Sequence, residues 1–293
     1  VRISDLIESY ATAKLAHQRR GGTTERSLKS LLEPVMEVRA NTLTASVFED
    51  LVQAKSQGAP IHAERALGYL GPMLAWAVEQ GHIPFNPMDG RPRPRQRPPR
   101  ERVLPLGDLQ RIYRAAGRLG YPFGPAIQLL VLVPVTREMA GGLRVTDLSR
   151  TSAGGWIWRM PGETAGVCAL PDLAIEAVRM SLELRPPGSP FVFSTTGSTP
   201  VSGWSKAKRH LDQALANDDG DPIEAWRLND LRDSFAVVAH EQLGVDRWVI
   251  ERCVGRISAF SSPILREFAG SDELRREADR ALAAWATLIV GKA

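Results

Sequence analysis

The stretch Trp226-Arg227-Leu228-Asn229-Asp230-Leu231-Arg232 joins side chains suited to one task. The Arg232 guanidinium is permanently charged and offers a planar fork that matches a phosphate. Asn229 can hydrogen-bond a phosphate but cannot exchange a proton near neutral pH. Other cations cluster along the chain: Arg19-Arg20, an alternating Arg/Pro run from Arg91 to Arg100 that holds Arg93 and Arg95, then Lys206, Lys208 and Arg209. Each cluster could lie along a polyanion, and each also has a plainer reading as a solvated loop, an interdomain spacer or a wet helix face. Groups that break bonds are scarce. No tyrosine follows Tyr121. Cys168 and Cys253 are far apart without metal-ligand spacing, which suits two small buried hydrophobes in a reducing compartment.

A chain of 293 residues can build one large core or two ordinary ones. Its 43% apolar and 24% charged residues are ordinary for a soluble globular protein. No apolar run approaches the ~20 residues of a membrane span. The opening Val1-Arg2-Ile3-Ser4-Asp5 is no secretory signal and has no initiating methionine. A cytoplasmic, nucleoid-associated location is therefore expected. A net charge of +4 leans toward a polyanionic partner only weakly, so distribution matters more than the sum.

The elements that must position these groups are mostly helices. Ile3, Leu6, Ile7 and Tyr10 recur at helical spacing from a Ser4 cap, and Thr23 or Thr24 can cap a second helix carrying Leu28, Leu31 and Leu32. Thr44 opens a third, and a fourth runs through Ala66, Leu70, Met73 and Ala77 to Gly81. The Arg/Pro run allows neither a helix nor a central strand and marks a domain boundary. Beyond it, helices are expected around Leu109–Ala116, Ile127–Val133, Ala174–Val178, Trp204–Leu215, Ser234–Leu243 and Arg247–Val254. Trp156–Met160 and Val167–Leu170 can pair as a hairpin in which the tryptophans pack. The last helix opens at Ser271-Asp272-Glu273 and carries the apolar stripe Leu274, Ala278, Leu282, Trp285 and Ile289.

Several segments taken in order resemble the tyrosine recombinases, the phage-integrase family. They are Ala75–Pro87, Arg102-Val103-Leu104 with Asp108-Leu109, Gly142–Leu148, Ser205–Arg209, the Trp226–Arg232 box, Leu243-Gly244-Val245, Val249–Arg252 and Ala284-Trp285-Ala286. The box is similar to the family's His-x-x-Arg motif, with Asn229 where the histidine is usual. Each segment alone is weak. Their collinear order over nearly the whole chain is the stronger signal.

The resemblance implies a mainly α fold with a small β-sheet in a two-domain, recombinase-like architecture. Residues 1–88 would form a helical core-binding domain, 89–102 an Arg/Pro-rich linker and 103–293 a catalytic-type domain, the two domains closing around duplex DNA. It implies no cofactor and no metal. It also implies that the last helix can be exchanged between protomers, giving a homo-oligomer or a hetero-oligomer with an active recombinase. The apolar stripe of that helix fits this use or a place in its own chain's core.

Members of the family are expected to cut DNA with a tyrosine oxygen. Two arginines stabilise the phosphate, a hairpin lysine protonates the leaving oxygen, and histidines assist. At the first arginine stands Thr136, with Arg137 one residue later, where a shift of one residue would let it serve. No Lys or Arg occurs from Met160 through Val178, and Ala165 falls at the lysine. Asn229 replaces one histidine, Arg256 stands at a second, and Ile264 stands at the tyrosine. Arg232 is kept. The surviving set, Arg232, Arg137, Asn229 and Arg256, can still hold a phosphate, and affinity for duplex DNA comes mostly from phosphate contacts. The expected function is a catalytically inactive, DNA-binding regulator or accessory factor of a mobile element. Two alternatives stand beside it. One is a working recombinase with Ser261, Ser262 or Cys253 as nucleophile. The other is an assembly partner that no longer binds DNA.

Overall fold

A computed structural model describes residues 1–18, 20–91, 102–152, 154–160, 166–218, 220–255, 267–268 and 270–291. The expected positions Arg19, Arg93, Arg95, Ala165, Arg256 and Ile264, with Ser261 and Ser262, lie outside the described residues. The chain divides into two compact units, Val1–Pro99 and Arg100–Ala293.

In the first unit α1 (Ile3–Tyr10), α2 (Gly21–Leu32), α3 (Ala45–Gly58) and α4 (Pro60–Glu79) surround one core. Ile3, Leu6 and Ile7 of α1 meet Leu28 and Leu32 of α2 and Leu70 and Met73 of α4, all fully buried. The ring of Tyr10 lies 5.4 Å from that of Trp76. Helical spacing located these helices, but two of their starts differ from the expected caps. The first helix begins at Ile3 rather than from Ser4, because the Asp5 carboxylate accepts the Arg2 N–H at 3.0 Å. The second begins at Gly21 rather than at Thr23 or Thr24. A π-helical segment, Ala11–Leu15, brings the chain back so tightly that a Cβ on Gly21 would sit 2.0 Å from the Leu15 carbonyl oxygen. Close backbone approach sets this start, and a cap rule cannot see it.

The second unit is mostly helical with one small sheet. In chain order come α5 (Leu106–Gly117), α6 (Phe123–Leu132), α7 (Arg137–Gly141), β1 (Leu148–Arg150), β2 (Trp156–Arg159) and β3 (Val167–Leu170). Then follow α8 (Asp172–Leu184), α9 (Trp204–Ala216), α10 (Asp230–Leu243), α11 (Arg247–Cys253) and α12 (Asp272–Val290). The strands are antiparallel in the order β1-β2-β3, with Trp158 opposite both Leu148 and Cys168. Trp158 is fully buried and packs the sheet, as alternation in β2 suggested.

The sequence did not mark β1 or α7. Three residues without alternation become a strand only by pairing with β2. The five residues of α7 form because the Thr136 hydroxyl caps them, accepting the Met139 N–H at 3.2 Å.

The stripe on α12 lies in the core of its own chain. Leu274, Leu282, Trp285 and Ile289 are buried, the Trp285 indole donates to the Val131 carbonyl at 2.8 Å, and its ring meets Phe235 edge-on at 5.1 Å. The Ser271 hydroxyl caps the helix at the Leu274 N–H, as its acidic opening led one to expect. An oligomer contact through this stripe is therefore not what this arrangement provides, since the surface is already covered in cis. Among the described residues no helix is long and apolar enough to cross a membrane.

Gly21→Ala is expected to lower unfolding stability by about 2 kcal/mol or more, because a packed carbonyl must move. Gly22→Ala, whose Cβ would meet nothing within 4 Å, should be neutral or slightly stabilising. Urea unfolding of the two variants separates close approach from mere helix propensity.

Candidate phosphate-binding site

The Trp226–Arg232 box is the last turn of a loop and the first turn of α10. Trp226, Leu228, Asp230 and Leu231 are buried, while Arg227 and Asn229 are exposed. The alternation is built by capping: the Asp230 carboxylate accepts the Arg227 N–H at 2.8 Å and closes the turn. Ser234, fully buried one turn later, fixes the start of the helix to the beginning of the unit. Its hydroxyl accepts the Leu104 N–H at 2.7 Å and donates to the Asp230 carbonyl at 2.7 Å.

The loop before the box is also held from outside. Arg102 pairs with Glu224 at 2.8 Å, and Arg111 donates to the Asp221 carbonyl at 2.7 Å. The Arg111 guanidinium packs where a side chain on Gly220 would be, its Cζ only 2.4 Å from the position of a Cβ there. Neither arginine was a sequence candidate. Their partners are about a hundred residues away, so local pattern carried no signal.

The candidate cations are sorted differently by their surroundings. Arg232 is half-buried and donates from Nη2 to the Val254 carbonyl, at the end of α11. A guanidinium there meets the negative end of the helix dipole. Asn229 is the N-cap residue of α10 but makes no capping hydrogen bond with its side chain, which is exposed. Arg137 is exposed beside Glu138, with Nε 3.2 Å from its carboxylate. Thr136 keeps no place for a phosphate-binding charge, since its hydroxyl caps α7.

Lys206 and Arg209 are exposed on α9 and Arg20 on the turn into α2. Lys208 departs from the expectation of a DNA-facing cation. Its ammonium is 2.6 Å from Asp212 and 3.9 Å from the centre of the Trp226 ring. Its charge is taken up in fastening α9 to the box.

One further arginine, Arg252, comes to the start of β3. A Cβ on Gly166 would lie 2.8–3.0 Å from its Nη2, Cζ and Nη1 atoms. The sequence gave this residue only as part of a family-like segment. Nothing in its neighbours marked the contact.

Groups able to act as nucleophiles are withdrawn from solvent. The Tyr121 hydroxyl lies 3.1 and 3.0 Å from the Val192 and Ser194 carbonyls and accepts the Ser194 N–H at 3.0 Å. Burial pushes its pKa above the ordinary tyrosine value. Cys253 is buried, and loss of solvation with Asp279 nearby pushes its thiol up to about 12. Cys168 is raised for the same first reason, burial, with Cys253 the next contributor. A thiol held protonated is a poor nucleophile, so the candidate role of Cys253 in strand cutting has no support in its environment.

With fold and site described, comparison with known proteins gives one kind of match. No protein-family model and no curated protein matches the sequence. Among solved structures, a lambda integrase dimer bound to a COC′ core site superposes with a TM-score of 0.63 at 16% identity, covering 93% of this chain and 96% of that one. A lambda integrase tetramer bound to a Holliday junction gives 0.62 at 16% identity over 87% of this chain and 77% of that one. The Tn1549 transposon integrase in complex with circular intermediate DNA gives 0.61 at 12% identity over 94% and 98%. The chain has the fold of these recombinases, at a sequence distance where fold alone is shared.

Both thiols are expected to resist a thiol reagent at neutral pH in the folded protein and to react once it is unfolded. Their folded pKa values lie above the unfolded value of about 8.5. Stability from this source is therefore full below that pH and declines as pH rises toward 12 and beyond. Replacing both with alanine should flatten that alkaline decline, read from urea midpoints across the pH range.

Proposed function

We propose that this chain binds duplex DNA without cutting it. It would act by occupancy, as a regulator or accessory factor of a mobile element or beside an active recombinase. The observation that carries this reading is a dissociation within one fold. The box keeps Arg232, while no tyrosine follows Tyr121 and no Lys or Arg stands between Met160 and Val178. The integrases that share the fold were solved on DNA.

The chemistry follows from which parts remain. Cutting a phosphodiester needs an oxygen nucleophile, an acid for the leaving oxygen and cations for the charge that grows on the phosphate. Here only the last is present. Asn229 can orient a phosphate oxygen as a donor, and Arg232 can neutralise it, but neither delivers a proton near pH 7. Members of such a set act as one unit, so losing the nucleophile and the acid together removes turnover rather than slowing it. Binding is separable from turnover because it sums many phosphate contacts, each releasing counterions.

In a gel-shift titration the protein is expected to bind a duplex at low salt and to lose affinity steeply as salt rises. Arg232→Ala should weaken that binding and reduce the slope of log K against log salt by about 1. Nicked suicide duplexes should yield no covalent protein–DNA adduct. An adduct abolished by changing one hydroxyl-bearing residue would establish an active recombinase with a non-standard nucleophile. Absence of binding even at low salt would leave an assembly partner without DNA affinity.

A further inference from the structure

The hairpin formed by β2 and β3 carries no cation of its own from Met160 through Val178. Yet a guanidinium lies against its second strand. The three Arg252 atoms Nη2, Cζ and Nη1 are 2.8, 3.0 and 3.0 Å from the position a Cβ on Gly166 would take. Near-equal distances to the centre and both tips mean that the group packs by its flat face on the glycine backbone. A guanidinium held by its face directs its N–H donors sideways, in the plane, where a phosphate fork is made.

The same end of α11 anchors the retained arginine of the box, since Arg232 donates to the carbonyl of Val254, two residues beyond Arg252. Two guanidinium groups, one from α10 and one from α11, thus converge where α11 ends and the hairpin begins. The carboxylate nearest this end of the strand, Asp279, is engaged by others. Its Oδ1 accepts the Ala169 N–H at 3.0 Å, and its Oδ2 pairs with Arg275 at 3.3 Å.

We infer that Arg252 is a phosphate-contacting residue, carried to the base of the hairpin by Gly166, and that it forms with Arg232 a two-arginine seat for one backbone phosphodiester of duplex DNA. This rests on the DNA-binding reading above. Gly166 is part of the device, because any side chain there would displace the guanidinium. The role is one of binding and charge neutralisation, and no bond is made or broken.

The test uses the full chain and a short random-sequence duplex, with affinity measured over a series of salt concentrations and folding checked by thermal unfolding. Arg252→Gln should lower the slope of log K against log salt by about 0.9, the value of one lost phosphate contact. Arg252→Lys, which keeps the charge, should hold the slope near that of the unchanged protein. Gly166→Ala should weaken binding although every charge is still present. A residue with a merely structural role would leave the salt slope unmoved. If the unchanged protein binds with steep salt dependence but Arg252→Gln has the same slope and affinity, the inference fails while the DNA-binding reading stands. If the unchanged protein does not bind at low salt, both fail. Should Arg252→Gln not fold, the pair Arg252→Lys and Gly166→Ala decides: equal, undiminished affinity in both overturns the inference.

Discussion

The buried hydroxyl of Ser234 is the contact on which the rest of the second unit depends. It accepts the N–H of Leu104, at the start of that unit, and donates to the carbonyl of Asp230, at the first turn of α10. Both partners are withdrawn from water, so an alternative acceptor for Leu104 is not at hand, and a buried donor without one is costly. Through this one oxygen the lead-in segment, the box and α10 are held in register. Asp230 then closes the box turn on Arg227, and the buried Trp226, Leu228 and Leu231 leave Asn229 and Arg232 facing outward or half outward.

Around that frame, charge is apportioned by proximity in space. Lys208 is neutralised by Asp212 and lies over the Trp226 ring, so it fastens the box. Arg111 and Arg102 hold the loop before it. Arg137 stands exposed beside Glu138, and Arg232 meets the end of α11. An exposed pair such as Arg137 with Glu138 contributes little to stability, so a phosphate could compete for the cation at small cost. Buried thiols and a tied tyrosine add nothing nucleophilic to this surface. Its chemistry is that of holding an anion.

Much of the architecture was legible because burial imposes a period. The stripe on α12, the run that became α6 and the alternation in β2 each announced their element, and Ser271 announced its helix start. What escaped had no periodic signature. β1 exists because it pairs with β2, α7 because Thr136 caps five residues, and α2 starts where it does because Gly21 fits beneath the Leu15 carbonyl. The site was legible to the same degree. Arg232, Asn229 and Arg137 could be named from motif order, whereas Ser234, Arg111, Arg102 and Arg252 act on partners far along the chain.

The sequence by itself determined what chemistry is unavailable. A tyrosine that does not occur after Tyr121, and a cation that does not occur between Met160 and Val178, cannot be supplied by folding. Only the tertiary structure decided which of the cations present remain turned toward a ligand and which are bound up within the protein. Coulomb attraction and hydrogen bonding act over a few ångströms of space, and a linear sequence does not contain those distances. Lys208 and Arg252 show the two outcomes. The first is a motif-flanking lysine taken up by Asp212 and Trp226, and the second is an unremarked arginine brought to the hairpin by a glycine.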